Sequence, residues 1–174
     1  MDIIEAIKYI IPALLVLITS YLLLAKFLQN EDKRRNFDLN KTSLSIITPI
    51  RLRAYERLIL VLERTLPSVI ILNTIKPEMT NLELQTELLS NIRNEFSHNI
   101  SQQIYVSDEL WSLISSAQEE LLKHVNICGL DCKPENSGVE LAEKIIKNYN
   151  SNQLVSSKQA LSKLKSEVRI YLKP

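Results

Sequence analysis

Hydrophobic positions follow two regimes along the chain. From Tyr9 to Ala25 the sequence YIIPALLVLITSYLLLA carries no charge, whereas beyond about residue 50 apolar side chains recur every three or four positions. The first regime predicts a transmembrane helix. With its flanks at 3–8 and 26–28 the apolar stretch reaches about 25 residues, and about 20 suffice to cross a hydrocarbon core. Pro12 falls near the start, where an early helical turn tolerates it. A cleaved signal peptide would need a basic leader and a small-residue cleavage site. Here Asp2, Glu5 and Lys8 precede the run, and no such site follows Leu24. A buried core helix is the other alternative, although the uncharged run is long for so small a domain.

The second regime predicts helices. Residues 29–47 are polar and mixed, and read as a helical extension of the anchor or a tether. Thr48-Pro49 then resembles an N-cap followed by proline at the first helical position. Ala54, Tyr55, Leu58, Val61 and Leu62 mark a helix that Pro67 stops. Val69–Leu72 is short and apolar, either an extended segment or a turn of helix, and is best read as a packed connector. Thr80 with Glu83 predicts a capping box opening a helix to about Tyr105, with Leu88, Leu89, Ile92, Phe96 and Ile100 inward. Ser107-Asp108-Glu109 opens the next, with Leu110, Trp111, Ile114, Ala117, Leu121 and Val125 inward. After a loop over 129–137, Ser137 and Glu140 predict another capping box. Val139, Ala142, Ile145, Ile146 and Tyr149 follow it inward. Beyond Ser151-Asn152 a last helix carries Leu161, Leu164, Val168 and Tyr171. The fold class is all-α: an N-terminal transmembrane helix, then an irregular cytoplasmic helical bundle of about five helices. The expected division is 1–28 as anchor, 29–47 as basic juxtamembrane linker or helical extension, and 48–174 as helical bundle domain.

Charge sets the expected topology. Lys26, Lys33, Arg34, Arg35 and Lys41 follow the apolar run, against Lys8 and the α-amine before it, so the C-terminal domain is expected in the cytoplasm. Lys33, Arg34 and Arg35 are candidates for lipid headgroup contact, at about 1 kcal/mol per charge near the surface. An ordinary stop-transfer flank accounts for them equally well. A formal net charge of +1 gives no global field for nucleic acid. Only Gly129 and Gly138 occur as glycines, which argues against Gly-rich phosphate loops and Rossmann crossovers. Cys128 and Cys132 cannot supply a disulfide framework, which fits a reducing compartment.

One anomaly stands out. Placed at about 100° per residue, Gln85, Asn99 and Gln103 lie about 20° from Ile92, with Glu95 and Gln102 at the border of that apolar face. Arg51 lies about 20° from Leu58 on the preceding helix. Such groups are costly to bury unless paired, so they form a satisfied network, for instance Arg51 with Glu95, or line a pocket or contact surface. Arg51, Tyr55, Glu95, His98, Asn99, Gln102 and Gln103 are therefore the candidate contact or core-network positions.

Catalytic and metal chemistry finds little support. Glu95-x2-His98 has di-iron spacing but lacks the second pair such bundles need. His124, Cys128, Cys132 and Asp131 lack the paired Cys-x2-Cys elements of zinc sites. Neither histidine is placed beside a nucleophile by any motif. Arg51, Arg53 and Arg57 project in three directions among acids, so no nucleic-acid face is predicted. No catalytic residue, no metal site and no cofactor is expected.

The segments TPIRLRAYERLILVLER (48–64) and IRNEFSHNISQQIYVS (92–107), behind an N-terminal membrane helix, resemble a family of uncharacterised, single-pass membrane-anchored helical proteins of Bacteroidota. Where that family often has Glu-Phe-Glu-His-Asn, this chain has Ser97 in place of the second Glu, which weakens any role for an acid there. The resemblance implies a bacterial inner-membrane protein and supplies no activity. The functional expectation is a membrane-tethered interaction or adaptor module without catalytic activity. The alternative is a small-molecule or metal-binding sensor, its ligand inside the bundle near Asn99 and Gln103. The bilayer and a protein partner are the expected contacts. A homo-oligomer through Ala13, Thr19, Ser20 and Ala25 is compatible with the span.

Overall fold

The computed structural model describes residues 3–151 and 155–172, with side chains placed over 14–149 and 155–171. Among them the backbone is all-helical: α1 (Ile3–Arg64), α2 (Pro67–Thr74), α3 (Asn81–Ser97), a 3-10 segment (Ile100–Tyr105), α4 (Asp108–Leu130), α5 (Gly138–Ser151) and α6 (Val155–Leu172). The sole β pairing among these residues is an isolated antiparallel bridge between Thr80 and Ser137.

Two compact units divide the chain, Met1–Ile47 and Thr48–Pro174. Within the first, 3–47 is helical throughout, so the alternative of a helical extension holds for 29–47. α1 is the one described helix long and apolar enough to cross a membrane by length and composition, with mean hydropathy 1.3 and none of its apolar window buried. The expected N-cap at Thr48 is not formed, because helix precedes it without a break. Pro49 is an interior residue of α1, lacking the N–H that a helix interior normally uses.

The second unit is built on the predicted stripes. Ala54, Tyr55, Leu58, Val61 and Leu62 are buried, as are Leu84, Leu88, Ile92 and Phe96 of α3 and Leu110, Ile114, Ala117, Leu121 and Val125 of α4. Leu141 and Ile145 of α5 with Ala160 and Leu164 of α6 complete the core. α4 packs on α3, α5 and α6, while α3 also packs on α2 and α5. Val69–Leu72 belongs to α2, two turns of helix with Pro67 at their start, rather than a connector. Pro67 fits there because the first helical N–H has no partner in any case.

Turn chemistry positions α3. Lys76-Pro77-Glu78-Met79 closes with Met79 N donating to the Lys76 carbonyl at 3.3 Å, and Glu78 has φ 63°. Proline at the second position and positive φ at the third are the marks of a type II turn. Thr80 then caps α3 in a complete capping box, with both the Thr80 side chain and the Glu83 carboxylate engaged. Those bonds hold the Glu83 carboxyl below its usual range. The next two N–H groups donate to loop carbonyls, Asn81 to Asn136 at 2.8 Å and Leu82 to Pro134 at 3.2 Å. In this way the 131–137 loop satisfies donors that the helix itself cannot.

α3 ends at Ser97 rather than near Tyr105, and the chain tightens into the 3-10 segment. Ile100 is consequently exposed, and Val139, at the start of α5, is exposed too. α4 begins as expected, with Ser107 accepting from Leu110 N at 3.1 Å. It continues through Gly129 to Leu130, so the predicted loop begins at Asp131. Of the expected break at Ser151-Asn152, Ser151 closes α5 and Asn152 lies outside the described residues.

Candidate functional site

The candidate residues separate into groups with different chemistry. Arg51 and Tyr55, one helical turn apart on α1, meet the C-terminal helix. Arg51 Nε donates to the Tyr105 carbonyl at 2.9 Å, and its guanidinium carbon lies 4.9 Å from the Tyr171 ring centroid. It does not take Glu95 as its partner; Glu95 instead lines a groove with Arg64, thirteen residues further along α1. Tyr55, 1% exposed, donates its hydroxyl to Glu167 Oε2 at 2.9 Å. Its ring lies 6.1 Å from that of Tyr171. The Ser107 hydroxyl donates to Glu167 Oε1. Lys163 stands 4.0 Å from that oxygen and bridges to Glu109. Burial first, then the bond to Glu167 and its charge, push the Tyr55 phenol up to about 12, against a lowering by Arg51. The hydrogen bonds of this cluster join Tyr55 of α1 and Ser107 at the start of α4 to Glu167, and so hold α6 on the bundle.

Asn99 and Gln102 are also spent locally. Asn99 Nδ2 donates to the Glu95 carbonyl at 2.9 Å, satisfying one of the last carbonyls of α3. Gln102, buried, donates to Ser101 Oγ at 3.1 Å. Gln103 is exposed and lines a hollow of about 270 Å³ with Phe96, Trp111 and Gln118. Asn99 is half-buried and Gln103 exposed, so neither belongs to the buried core. Their helical-wheel positions assumed that α3 continued.

Glu95 and His98 enter a different arrangement. They line a groove of about 480 Å³ whose other walls come from Arg64 at the end of α1, Asn73 and Thr74 at the end of α2, and Asn91 and Asn94 of α3. Asn91, Asn94, Glu95 and His98 share one face of α3 by their spacing, beside the stripe that buries Leu88 and Ile92. Asn91 Nδ2 donates to Thr74 Oγ1 at 3.0 Å, which ties α3 to α2 along the groove floor. The side chains of Arg64, Asn73, Asn94, Glu95 and His98 make no hydrogen bond or ion pair with any described residue. Sequence reasoning missed Arg64, Asn73 and Asn94. Their sole signal was a polar helix face, which solvent explains just as well.

Other polar pairs are structural. His124 Nε2 donates to the Ile145 carbonyl at 3.1 Å, joining α4 to α5. Cys128 accepts from Asn148 at 3.5 Å, and Cys132 donates to the Cys128 carbonyl at 3.4 Å. Burial pushes the Cys132 thiol up, which disfavours the thiolate a metal would need. No group of three or more His, Cys, Asp or Glu that could hold a metal occurs among the described residues. Lys33, Arg34 and Arg35 are exposed on α1. Arg34 and Arg35 share a surface hollow with Glu31 and Asp38, which offsets part of their positive field.

A family model, described as a family of unknown function (DUF7935), matches residues 1–171. No curated protein and no solved structure matches the chain.

Proposed function

The chain belongs to DUF7935, a family of unknown function, and we propose that it serves there as a membrane-tethered interaction module. One observation carries this reading. The folded unit satisfies its buried polar side chains internally, and gathers the half-buried Glu95 with the exposed Arg64, Asn73, Asn94 and His98 around a single groove. Arg64, Asn73, Asn94, Glu95 and His98 are the contact positions.

The tether is supported by the exposure of Leu14–Leu28 on α1, since the core helix of a soluble domain of this size would be covered. The basic excess after the run supports a cytoplasmic 48–174 unit, and the resemblance to Bacteroidota proteins is what suggests a bacterial inner membrane. The sensor alternative draws on one feature, a groove volume within the range of small-ligand sites.

The test is photo-crosslinking in native membranes, with benzoylphenylalanine in place of Asn94 and, as a control, in place of the exposed Lys165. The expected result is one discrete protein adduct from position 94 that is lost with Arg64→Ala and absent from position 165. No adduct from position 94 would overturn the module reading. Extraction of the protein by alkaline carbonate would overturn the tether.

A further inference from the structure

Past the apolar run, α1 carries large apolar side chains that the chain itself leaves uncovered. Residues 18–46 belong to one compact unit and form an uninterrupted helix. Along it Ile18, Tyr21, Ala25 and Leu28 recur at alternating steps of three and four. The same steps lead on to Leu39, Thr42 and Ile46. All are exposed, the large ones to between 45% and 71%. A 3-4 alternation sustained over this length is the seam of a left-handed coiled coil. Between its two apolar stretches the steps fall on Asp32 and Arg35, the charged positions of the seam.

Resting on the reading of α1 as a membrane anchor, we propose that residues 18–46 pair with those of a second copy of this chain as a parallel coiled coil. Two copies held in one membrane with the same orientation lie parallel and in register, and their confinement raises the effective concentration of each for the other. Because the helix runs on without a break, Ile46 lies about 27 Å beyond Leu28 along its axis, so the bilayer surface cannot cover it. The charges fit a second copy. In a parallel pair the Asp32 and Arg35 layers are adjacent, about 4.5 Å apart along the axis, and an arginine fork spans that gap to Asp32 of the other chain. Each copy then gives one acid and one base, as a two-fold axis requires. A second exposed stripe, through Ile47, Leu44 and Phe37, runs back at the same steps to Lys33 and Lys26 with no acid on its seam. Self-pairing there would oppose like charges, which singles out the seam with Asp32 and Arg35.

The experiment is disulfide scanning of the full-length protein in native membranes, with copper phenanthroline and oxygen as oxidant. Single cysteines replace Leu39, Thr42 and Ile46 on the seam, and Asn40 and Leu44 off it. Cys128 and Cys132 are buried, and the unsubstituted protein serves as the blank. Linked dimers are expected from the three seam positions and not from Asn40→Cys or Leu44→Cys. With Ile46→Cys as reporter, Asp32→Arg should lower the dimer yield about fivefold, and Asp32→Arg combined with Arg35→Asp should restore it. The first change adds to the basic excess after the span and the combination conserves it, so the expected topology is kept. Equal yields at all positions, strongest dimers at Asn40 and Leu44, or no dimer would overturn the proposal, as would a combination that fails to restore pairing. Where alkaline carbonate leaves the protein in the membrane, such a failure is of the pairing and not of the tether. The adduct from position 94 is read independently of both.

Discussion

Tyr55 and Glu167, 112 residues apart in sequence, share a 2.9 Å hydrogen bond that fastens the last helix to the first. The carboxylate also receives the Ser107 hydroxyl, which caps α4, so three elements meet at one side chain that is 12% exposed. Tyr55→Phe removes one donor and leaves a largely buried carboxylate oxygen unpaired. A loss of about 1–3 kcal/mol is expected in denaturant unfolding.

The same phenol sets an alkaline limit. Its ionisation is raised from 10.0 to about 12 by burial first and Glu167 second. Because the folded value lies above the unfolded one, the associated stability is complete below pH 10 and is lost as pH rises from 10 towards 12. Wild-type stability should therefore fall more steeply than that of Tyr55→Phe across this window. Parallel slopes in chemical denaturation at successive pH values would contradict the assignment.

Arg51 stacks on Tyr171 while donating to the Tyr105 carbonyl, and lysine can reproduce neither the planar face nor the Nε bond. A double-mutant cycle of Arg51→Met with Tyr171→Leu should give a coupling of about 0.5–1 kcal/mol. Arg51→Lys should recover less than half of it. A coupling near zero would assign Arg51 to its carbonyl contact alone.

These relationships explain what could be read in advance. The apolar stripes of α3 and α4 were legible because period-3.6 burial leaves its mark in sequence, and Thr80-x2-Glu83 was legible because a capping box is local. The end of α3 was not. Ser97 and Asn99 turn their side chains onto nearby backbone carbonyls, which competes with further helix. Thr48-Pro49 misled in the opposite direction, since a sequence that suits a helix start also fits inside a longer helix. Arg51 was legible as an anomaly, but its partners come from the far end of the chain. Glu167 could have been found by the same test, since it lies between Leu164 and Tyr171 on the inward stripe of α6. The groove was out of reach, because Arg64 and Asn73 acquire meaning only when the ends of α1 and α2 are brought beside α3.

Glu78 occupies the left-handed position of its turn without being glycine. The strain of a β-carbon there costs about 1 kcal/mol, offset in part by the greater unfolded-state freedom of glycine. Glu78→Gly should leave stability unchanged or raise it by up to about 1 kcal/mol, whereas Glu78→Val should lower it. Thermal unfolding of the two variants against the wild type is the check. Destabilisation by glycine would mean that the Glu78 side chain does work in the turn.

Asn81 offers the sharpest stability test. Buried to 3% exposure, its Nδ2 donates to the Lys133 carbonyl at 2.8 Å and to Glu140 Oε2 at 3.2 Å, while Oδ1 accepts from Leu141 N at 3.1 Å. One side chain thus joins the start of α3 to the 131–137 loop and the first turn of α5. Asn81→Ala strands the buried Leu141 N–H, whereas the Lys133 carbonyl keeps the Asn136 N–H, and a loss of about 1–3 kcal/mol is expected. The hydrogen bonds from Asn136 and Asn81 hold the Glu140 carboxyl below its usual range. Its contribution is therefore present above the ordinary carboxylate range and lost as pH falls through the lowered folded value. Asn81→Ala should weaken this acid dependence, leaving Asn136 to sustain the rest. Acid titrations of stability for wild type, Asn81→Ala and Asn136→Ala separate the two donors. An unchanged acid profile in Asn81→Ala would place the control of Glu140 wholly on Asn136.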